Sequence, residues 1–471
     1  MNAAYKLFHE GSLALARAEQ QGIRVDVDGC NRKKKFLSRK IDYLFHKFEE
    51  TELAKVWRSV YGTGMNVDSN AQLSEVLYNH LGVTPPKLTN SGRGSTDEDA
   101  LSKIDMPGVK LILDMRKLKK IRDTYLDQFL REVSSDGYVH PFFNLHTVRT
   151  YRSSSDSPNF QNIPKRDKDA MKICRKILFP RQGHQLLEVD FSALEVCVAA
   201  CYHKDPNMLK YLHDPESDMH GDVAYKIFLL DDYDELIRKA GAIKKIKEFK
   251  LLRNAAKNGF VFPQFYGDYY KNNAYSICEW VKLPTDRKWK AGLGVKLPDG
   301  KSISEHFISK NIKDFDSLVE HLRKIENEFW GKDFKVYAQW KEKQWQSYLK
   351  NGYVDMFTGF RCSGIMRKNE TINYPVQGAA FHCLLWTFIQ TDKVMREENW
   401  DTRLVGQIHD SMVIDVNPDE LEHVVETVHR IATVELPRAW DWIIVPMNVE
   451  FELAPVDGSW ADKKDYERRG E

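Results

Sequence analysis

The sequence has few features of secreted, disulfide-bonded or membrane proteins. Its seven cysteines are scattered and odd in number, with no Cys-x-x-Cys pair, so neither a disulfide framework nor a zinc site is indicated. Apolar runs stay shorter than the roughly 18 residues of a membrane span, and the N-terminus lacks an apolar signal core. The formal net charge is only +2, so any basic surface is local. We therefore expect a cytoplasmic protein with reduced, mostly buried thiols and no membrane partner.

The chain is long enough for more than one core. Its 471 residues predict about three domains, or one domain with large insertions. Hydrophobic residues make up 42% and charged residues 29%, which is typical of a folded globular protein and excludes a disordered one. Residues 12–129 have helical periodicity with charged faces. Residues 281–303 are rich in Lys, Gly and Pro, which predicts a flexible insertion.

After residue 137 short strand patterns alternate with long helical patterns. The strand patterns cover residues 138–145, 185–189, 404–408 and 412–416. The helical patterns cover residues 217–229, 243–259 and 317–349. The coarse architecture is therefore a sheet that carries the chemistry, flanked by two mostly helical bodies.

Two aspartates stand at the ends of strand patterns. The apolar run 186–189 leads into Asp190, and residues 404–415 form a β-hairpin pattern with Asp410 at its tip. Strand-end aspartates are common, so either one alone is weak evidence for chemistry. Two carboxylates from separate strands can hold a pair of Mg²⁺ ions about 4 Å apart, one activating a 3′ hydroxyl and the other stabilising pyrophosphate.

A cationic and aromatic segment lies between the two aspartates. Arg253 and Lys257 are four residues apart, so a helix places them on one face, where two cations can clamp a triphosphate. A solvated charged face is the simpler interpretation of such a pair. The aromatic run from Phe260 to Tyr266 favours the clamp, because aromatic rings beside a phosphate site offer stacking surfaces for a base pair.

These residues resemble motifs A, B and C of the family A DNA polymerases, the family that contains bacterial DNA polymerase I. The matching positions follow the order of the family: Asp190 in motif A, Arg253, Lys257 and Tyr266-Gly267 in motif B, and His409-Asp410 in motif C. Residues 152–164 resemble the family's segment that contacts primer and template. Residues 373–378 resemble its helix that reads the minor groove. The similarity extends over residues 7–460.

The resemblance implies an α+β multidomain fold, the right-hand polymerase, with a helical thumb and fingers and an antiparallel-sheet palm. The thumb is expected at residues 1–135, the palm at 136–203 and 371–471, and the fingers at 204–370. The implied activity is template-directed, primer-dependent DNA synthesis in DNA replication. Its partners are primer-template DNA and dNTPs, and its cofactor is a pair of Mg²⁺ ions, with Mn²⁺ as a substitute.

Carried over position by position, the resemblance also assigns roles. The metal ligands are Asp190, Asp410 and the carbonyl of Phe191, and Lys257 joins the aspartates as a catalytic residue that donates a proton to pyrophosphate. Residues expected at the dNTP are His220, Arg253, Lys257, Phe262, Tyr266 and Glu195, the last as a steric gate against ribonucleotides. Residues expected at the DNA are Arg152, Asn159, Gln161, Asn162, Asn373, Gln377 and His409.

The chain departs from the family pattern at four positions. Ala193 and Cys197 stand where motif A usually has Gln and Arg, so two supporting hydrogen-bond partners are absent. Asn369 replaces an Arg at the start of the helix that reads the minor groove. Ser411 replaces the acidic residue that follows the motif C aspartate, which makes motif C resemble that of single-subunit phage RNA polymerases.

The spacing of motif B is also unusual. Lys257 and Tyr266 are nine residues apart, one more than in the family. Each residue of a helix advances about 100°, so one extra residue would turn Tyr266 away from the clamp face. We expect a π-type bulge or a kink within residues 258–263, with the two cations facing the two aspartates. Counting from Tyr266 places Phe262 beside the nucleotide, whereas counting from Lys257 reaches Val261, with Phe260 as the aromatic residue next to it; we prefer Phe262.

Two other functions stay open. Ser411 favours a single-subunit DNA-dependent RNA polymerase, although Glu195 and residues 161–164 argue against it. A catalytically inactive, DNA-binding homologue is disfavoured because both aspartates and the three basic residues at 220, 253 and 257 are retained.

Residues before the expected palm show no Asp-x-Glu strand of a proofreading exonuclease, so we expect a polymerase domain without an exonuclease domain, and the chain either lacks proofreading or is one part of a larger protein. A separate exonuclease or processivity factor stays open as a partner. The divergent motifs and short length favour a bacteriophage enzyme that works in the cytoplasm of the host.

Overall fold

A computed structural model describes residues 3–89, 91–164, 167–238 and 242–468. Its strands are, in chain order, β1 (Ile23–Val25), β2 (Tyr138–Val139), β3 (Phe142–Asn144), β4 (Ser154–Asp156), β5 (Leu178–Phe179), β6 (Gln185–Phe191), β7 (Tyr353–Asp355), β8 (Arg361–Ser363), β9 (Arg403–Ile408), β10 (Ser411–Val416), β11 (Val449–Leu453) and β12 (Lys464–Asp465).

Helices make up most of the remaining described chain. Those in the N-terminal part are α1 (Ala3–Gln21), α2 (Val27–Glu49), α3 (Glu52–Tyr61), α4 (Asn70–Ser74), α5 (Glu98–Ser102), α6 (Pro107–Lys119) and α7 (Asp127–Glu132). Those in the middle part are α8 (Lys168–Arg175), α9 (Leu194–His203), α10 (Pro206–His213), α11 (Met219–Phe228), α12 (Asp234–Arg238), α13 (Ala242–Lys245), α14 (Lys247–Ala256), α15 (Phe262–Phe265), α16 (Tyr270–Val281), α17 (Ile303–Ser309), α18 (Phe315–Glu328) and α19 (Lys335–Asn351). Those in the C-terminal part are α20 (Lys368–Glu397), α21 (Leu421–Arg430) and α22 (Leu436–Ala439).

The main sheet is antiparallel and has the strand order β12, β11, β6, β10, β9. The two central strands are nearly continuous apolar runs because both of their faces are covered: β10 is buried along its whole length, and β6 is buried at most positions. The helix α20 packs on this sheet and against α1, α9 and α19. The expected α+β fold, with a sheet between helical bodies, is confirmed.

The long helix α20 is buried along most of its length and supports the centre of the molecule. Gly378 allows it to pass close to the backbone before Arg152, because a Cβ at this position would collide with the carbonyl oxygen of Thr150. A larger residue would push the two segments apart. Packing of α20 thus positions two segments that the sequence assigns to DNA contacts.

The outer part of the N-terminal helical region has a small core of its own. Trp57 is fully buried in it, contacts Phe48 edge to face and donates from its indole Nε1 to Gln72 at 3.0 Å. The rest of this core consists of Leu53, Ala54, Leu73, Val76, Leu77, Leu101, Val109, Ile112 and Met115. The first helix, α1, belongs instead to the main core, where it packs on α20 and β9.

The structure corrects two expectations about local structure. Residues 281–303 are not a flexible insertion, because Trp289 and Leu297 are buried and the backbone N–H of Ile303 donates to Val295 at 2.8 Å. The composition did not reveal that a few apolar side chains anchor this segment. The N-terminal stretch is not purely helical either, since β1 pairs with β2 and β5.

The strands β11 and β12 were also missed. The sequence of β11, Val-Glu-Phe-Glu-Leu, alternates with period two, and this signal would have found it. Among the described residues, no helix combines the length and apolar character needed to span a bilayer. All seven cysteines are buried and unpaired, as expected.

Candidate active site

The two predicted carboxylates lie at the same end of the sheet. Asp190 is the penultimate residue of β6 and pairs in register with Ser411 of β10. Asp410 lies in the two-residue turn that joins β9 to β10, and its carbonyl oxygen accepts from the Phe191 backbone N–H at 3.1 Å. The predicted hairpin is confirmed, and the strand pairing brings the three proposed metal-binding residues together.

The tip of this hairpin has an unusual backbone. His409 has a φ of +50°, in the left-handed region that residues other than glycine rarely adopt. Such a conformation costs about 1–3 kcal/mol and persists only where the surroundings enforce it. Here the buried strands on both sides of the turn enforce it. The side chain of His409 is exposed, in the direction of the 161–164 segment described below.

A polar cluster surrounds the second carboxylate. The guanidinium of Arg152 lies between two acidic groups, with Nη1 3.1 Å from Glu195 Oε1 and Nη2 3.5 Å from Asp410 Oδ1. The hydroxyl of Tyr266 donates to the other oxygen of Glu195. Burial and the neighbouring carboxylate raise the pKa of Tyr266, so its hydroxyl keeps its proton as a donor at neutral pH.

A cavity of about 240 Å³ opens beside this cluster. Five predicted site residues line it, from four separate parts of the chain: Glu195, Phe262, Tyr266, Asn373 and Asp410. The rest of its wall is mostly apolar: Ala193, Leu194, Val196, Ala199, Met208, Phe265, Tyr337 and Val376. A largely apolar hollow with a few convergent polar groups is typical of a small-molecule site.

The helix that carries the motif B residues is interrupted as expected. A π-helical turn spans Lys257–Val261, and the N–H of Phe262 donates to the Lys257 carbonyl five residues back. Phe260 is fully buried, with its ring 5.5 Å from that of Phe329. Phe262 is half-buried and lines the cavity. The predicted bulge is confirmed, and it turns Phe262 rather than Phe260 toward the cavity.

Basic residues gather on the other side of Phe262. The ammonium of Lys257 lies 5.2 Å from the centre of the Phe262 ring, and the ring of His220 meets it edge-on at 5.5 Å. Arg253 forms a two-bonded ion pair with Asp218, at 2.7 and 2.9 Å. The sequence reasoning did not foresee this partner for Arg253.

His220 is electrically neutral in this setting. Burial, and then the charges of Lys257 and Arg253, lower the pKa of His220 to about 4. Its Nδ1 atom is buried and has no hydrogen-bond partner within the described part of the chain.

A second hollow, of about 650 Å³, lies between the 161–164 segment and α6. Three residues predicted to contact DNA line it: Gln161, Asn162 and His409. The opposite wall carries basic side chains that the sequence reasoning missed, namely Arg116, Lys117 and Lys120. They escaped notice because their helical pattern fits an ordinary solvated face.

The other residues predicted to contact DNA differ in their burial and in their hydrogen-bond partners. Asn159 caps the short helical turn that follows it, since its side chain accepts from the Asn162 N–H at 3.1 Å. Gln377 is half-buried on α20, one turn beyond Asn373. Gln161 donates at 2.7 Å to Gln407, a buried residue of β9 that the sequence reasoning also missed.

Gln407 connects three segments of the site. Its side-chain oxygen accepts from Ser153 at 2.6 Å and from Gln161 at 2.7 Å, while its nitrogen donates to the carbonyl of His409 at 2.5 Å. The segment after Arg152 and the hairpin turn are thereby fixed to each other. A polar residue within the apolar run of β9 is the one signal that points to this role.

Three of the departures from the family pattern are accommodated by the fold. Cys197 is buried, and Ala193 has a φ of +52° at the start of α9. Asn369 lies against the backbone of Gly267, where φ is +90° and a Cβ would come within 2.6 Å of its side chain. Position 267 therefore requires glycine as long as the Asn369 side chain keeps its place.

The sheet with two aspartates at one end, the flanking helical bodies and the enclosed cavity define the right-hand polymerase fold. The same fold is found in the POL domain of Pol1 from M. smegmatis in complex with DNA primer-template and dNTP, with a TM-score of 0.71 and 23% identity. The similarity covers 96% of this chain and 70% of that one.

The chain belongs to DNA polymerase family A, whose sequence model matches residues 38–252 and 323–461. DNA polymerase I of Bacillus subtilis is 25% identical over 98% of this chain and 46% of its own. DNA polymerase I of Pseudomonas aeruginosa is 24% identical, and the match covers 90% of this chain and 41% of that protein. The DNA polymerase of Escherichia phage T5 is 24% identical, and the match covers 90% of this chain and 48% of that protein. The chain spans less than half the length of these three relatives.

The different surroundings of the two phenylalanines lead to a test. Phe260→Ala removes a fully buried ring and should lower the free energy of unfolding by about 3–5 kcal/mol. Phe262→Ala should lower it less, because this ring is only half-buried. Urea unfolding measures both variants, and Phe329→Ala, the packing partner of Phe260, is the matched control for stability. An equal or larger loss of stability in Phe262→Ala would contradict this assignment.

Proposed function

We propose that the chain catalyses template-directed, primer-dependent DNA synthesis from dNTPs. The observation that carries this proposal is the cavity that unites Glu195, Phe262, Tyr266, Asn373 and Asp410 at the end of the sheet. Membership of DNA polymerase family A supports the same activity. The alternative of an RNA polymerase rests on Ser411 alone, and Glu195 in the wall of the cavity speaks against it.

The donor set at the sheet end suits Mg²⁺. Asp190, Asp410 and the carbonyl of Phe191 offer only oxygen atoms, the ligands that this hard cation prefers. Among the described residues, no group of three or more acidic, histidine or cysteine side chains is placed to enclose a metal. Such an incomplete set fits Mg²⁺, which is commonly held by one or two carboxylates together with water and substrate phosphates.

We assign two Mg²⁺ ions to these ligands, with Mn²⁺ as a substitute. When bound, they favour deprotonation of the primer 3′ hydroxyl and stabilise charge on the leaving pyrophosphate. The protein holds Asp190 near the end of β6 and Asp410 in the turn that leads into the adjacent strand β10, so buried strands set their geometry before substrate arrives. Arg152 lowers the repulsion between Asp410 and Glu195 by lying between them.

Three basic residues are assigned to the triphosphate. Arg253 keeps N–H donors beyond the two that Asp218 accepts, and the Lys257 ammonium lies 5.2 Å from the centre of the Phe262 ring. The neutral imidazole of His220 can donate a hydrogen bond to a phosphate oxygen without adding charge. We also assign to Lys257 the protonation of pyrophosphate as it leaves.

The remaining residues are assigned to the sugar, the base pair and the DNA. Phe262 and Tyr266 supply flat surfaces for the nucleoside, and Glu195 occupies the space beside the sugar. Every correct base pair presents hydrogen-bond acceptors in the minor groove, so donors aimed at these acceptors can contact all correct pairs alike. The donors assigned to these acceptors are Arg152, Asn373 and Gln377. The other residues assigned to DNA contacts are Asn159, Gln161, Asn162 and His409.

Several finer expectations remain predictions. They are the division into thumb (1–135), palm (136–203 and 371–471) and fingers (204–370), the location in the cytoplasm, and a separate exonuclease or processivity factor. A bacteriophage origin also remains a prediction, since the relatives above include one phage protein and two cellular ones.

The metal assignment predicts a selective loss of chemistry. Asp190→Asn or Asp410→Asn should lower kcat for primer extension by about 10³-fold or more, because stabilisation of several kcal/mol by the ions is lost. Affinity for primer-template should be retained, since phosphate contacts elsewhere supply it. Single-nucleotide extension and fluorescence anisotropy measure the two quantities, with Asp465→Asn at the edge strand as the control. Near-normal synthesis by either variant would refute the assignment.

The gate assignment predicts a change in sugar selection. The wild type should prefer dNTPs, and Glu195→Ala should raise the relative kcat/KM for ribonucleotides by at least about tenfold, because space opens beside the 2′ position. Tyr266→Phe removes the hydrogen bond to Glu195 but leaves the carboxylate, so it should keep the discrimination. A wild type that uses ribonucleotides equally well would instead favour the RNA polymerase alternative.

A further inference from the structure

A buried carboxylate lies directly behind the catalytic end of the sheet. Glu188 is two residues before Asp190 on β6, so both side chains point to the same face. Only 2% of Glu188 is exposed. Burial of a carboxylate is unfavourable unless charged and hydrogen-bonding partners surround it, so its contacts define its role.

The four partners of Glu188 come from three parts of the chain. One oxygen accepts from the indole of Trp460 at 3.0 Å, from Arg175 at 3.4 Å and from the ammonium of Lys463. The other accepts from the hydroxyl of Ser411 at 3.3 Å. Arg175 also lies over the Trp460 ring, 4.0 Å from its centre. The carboxylate therefore fixes the C-terminal segment 460–463 and α8 to the two central strands.

These partners touch the residues that carry the chemistry. Ser411 directly follows Asp410 and is the register partner of Asp190. Its hydroxyl also reaches the carbonyl of Ile408 at 3.0 Å, on the other side of the hairpin turn. Trp460 stacks on Phe160 at 5.2 Å, with the ring planes 11° apart. Phe160 begins the turn that holds the Gln161-Asn162 segment.

We propose that Glu188 is a positioning residue, which holds the ends of β6 and β10 so that Asp190 and Asp410 keep the spacing that their metal ions need. This proposal rests on the proposed function. Ser411 replaces the acidic residue that the family pattern has at this position. Glu188, on the neighbouring strand β6, supplies a carboxylate that contacts Ser411 instead. The C-terminal segment thereby becomes part of the support of the active site.

The variant Glu188→Gln tests the proposal. It keeps the size of the side chain and one acceptor oxygen, which can serve Trp460, and its amide N–H can donate to the Ser411 hydroxyl oxygen, but it removes the charge. Loss of a supporting contact behind a metal ligand typically costs about 10- to 100-fold in activity or metal affinity. We expect kcat for extension to fall by that factor, with primer-template affinity unchanged.

A second readout does not depend on turnover. Calorimetric titration of Mn²⁺ into the complex with a dideoxy-terminated primer-template and the matching dNTP should give a Mn²⁺ affinity that falls in parallel with kcat. The matched control is Glu452→Gln, which also pairs with Lys463, is the register partner of Glu188 on β11 and is 34% exposed. This control should keep both values near those of the wild type.

Two further variants cover the case in which Glu188→Gln does not fold. Ser411→Ala and Trp460→Phe each remove one hydrogen bond to Glu188 and leave the buried charges paired, so each should lower kcat and Mn²⁺ affinity less than Glu188→Gln. The proposal would be overturned if kcat and Mn²⁺ affinity stayed at wild-type values in both of these variants, or in a folded Glu188→Gln. It would also be overturned if Glu452→Gln lost as much kcat and Mn²⁺ affinity as Glu188→Gln. If the wild type itself makes no product, the proposed function fails, whereas the Mn²⁺ titration still decides the role of Glu188.

Discussion

The antiparallel pairing of β6 with β10 is the constraint on which the rest of the site depends. Because Asp190 pairs with Ser411, the carboxylate of β6 lies beside the hairpin turn that carries Asp410. A slip of one residue would move Asp190 to the opposite face of the sheet. Both strands are buried, so their apolar side chains specify the register strongly. The hydrophobic core thus determines where the charges of the site lie.

The acidic groups of the site share a basic partner, which lowers the repulsion between them. The guanidinium of Arg152 lies between Glu195 and Asp410, and Tyr266 donates its hydroxyl proton to Glu195. The second contact also connects two parts of the chain that are 71 residues apart, the end of the motif B segment and the start of α9. Glu195 therefore contacts the segment that follows the bulge as well as Arg152. The π-helical turn is what allows Tyr266 and Phe262 to reach the same cavity.

The sequence predicted the features that local patterns encode. The strand before Asp190, the hairpin around Asp410 and the helices with clear periodicity were found, and the nine-residue spacing from Lys257 to Tyr266 correctly predicted the bulge. Contacts between distant segments were not predictable in this way. Gln407 meets Gln161 across 246 residues, and Arg253 meets Asp218 across 35. The local sequence around these residues does not identify their partners, because hydrogen bonds of this kind depend on the packing of whole elements.

The central claim is that Asp190 and Asp410 together hold the metal ions of nucleotidyl transfer. Anomalous diffraction from Mn²⁺ in crystals with a dideoxy-terminated primer-template and the matching dNTP measures this directly. The account predicts Mn²⁺ at the end of the sheet, bound by oxygen atoms of both aspartates, with the triphosphate reaching toward Lys257. Mn²⁺ bound elsewhere, or contacting neither carboxylate while the dNTP occupies the cavity beside Phe262, would contradict it.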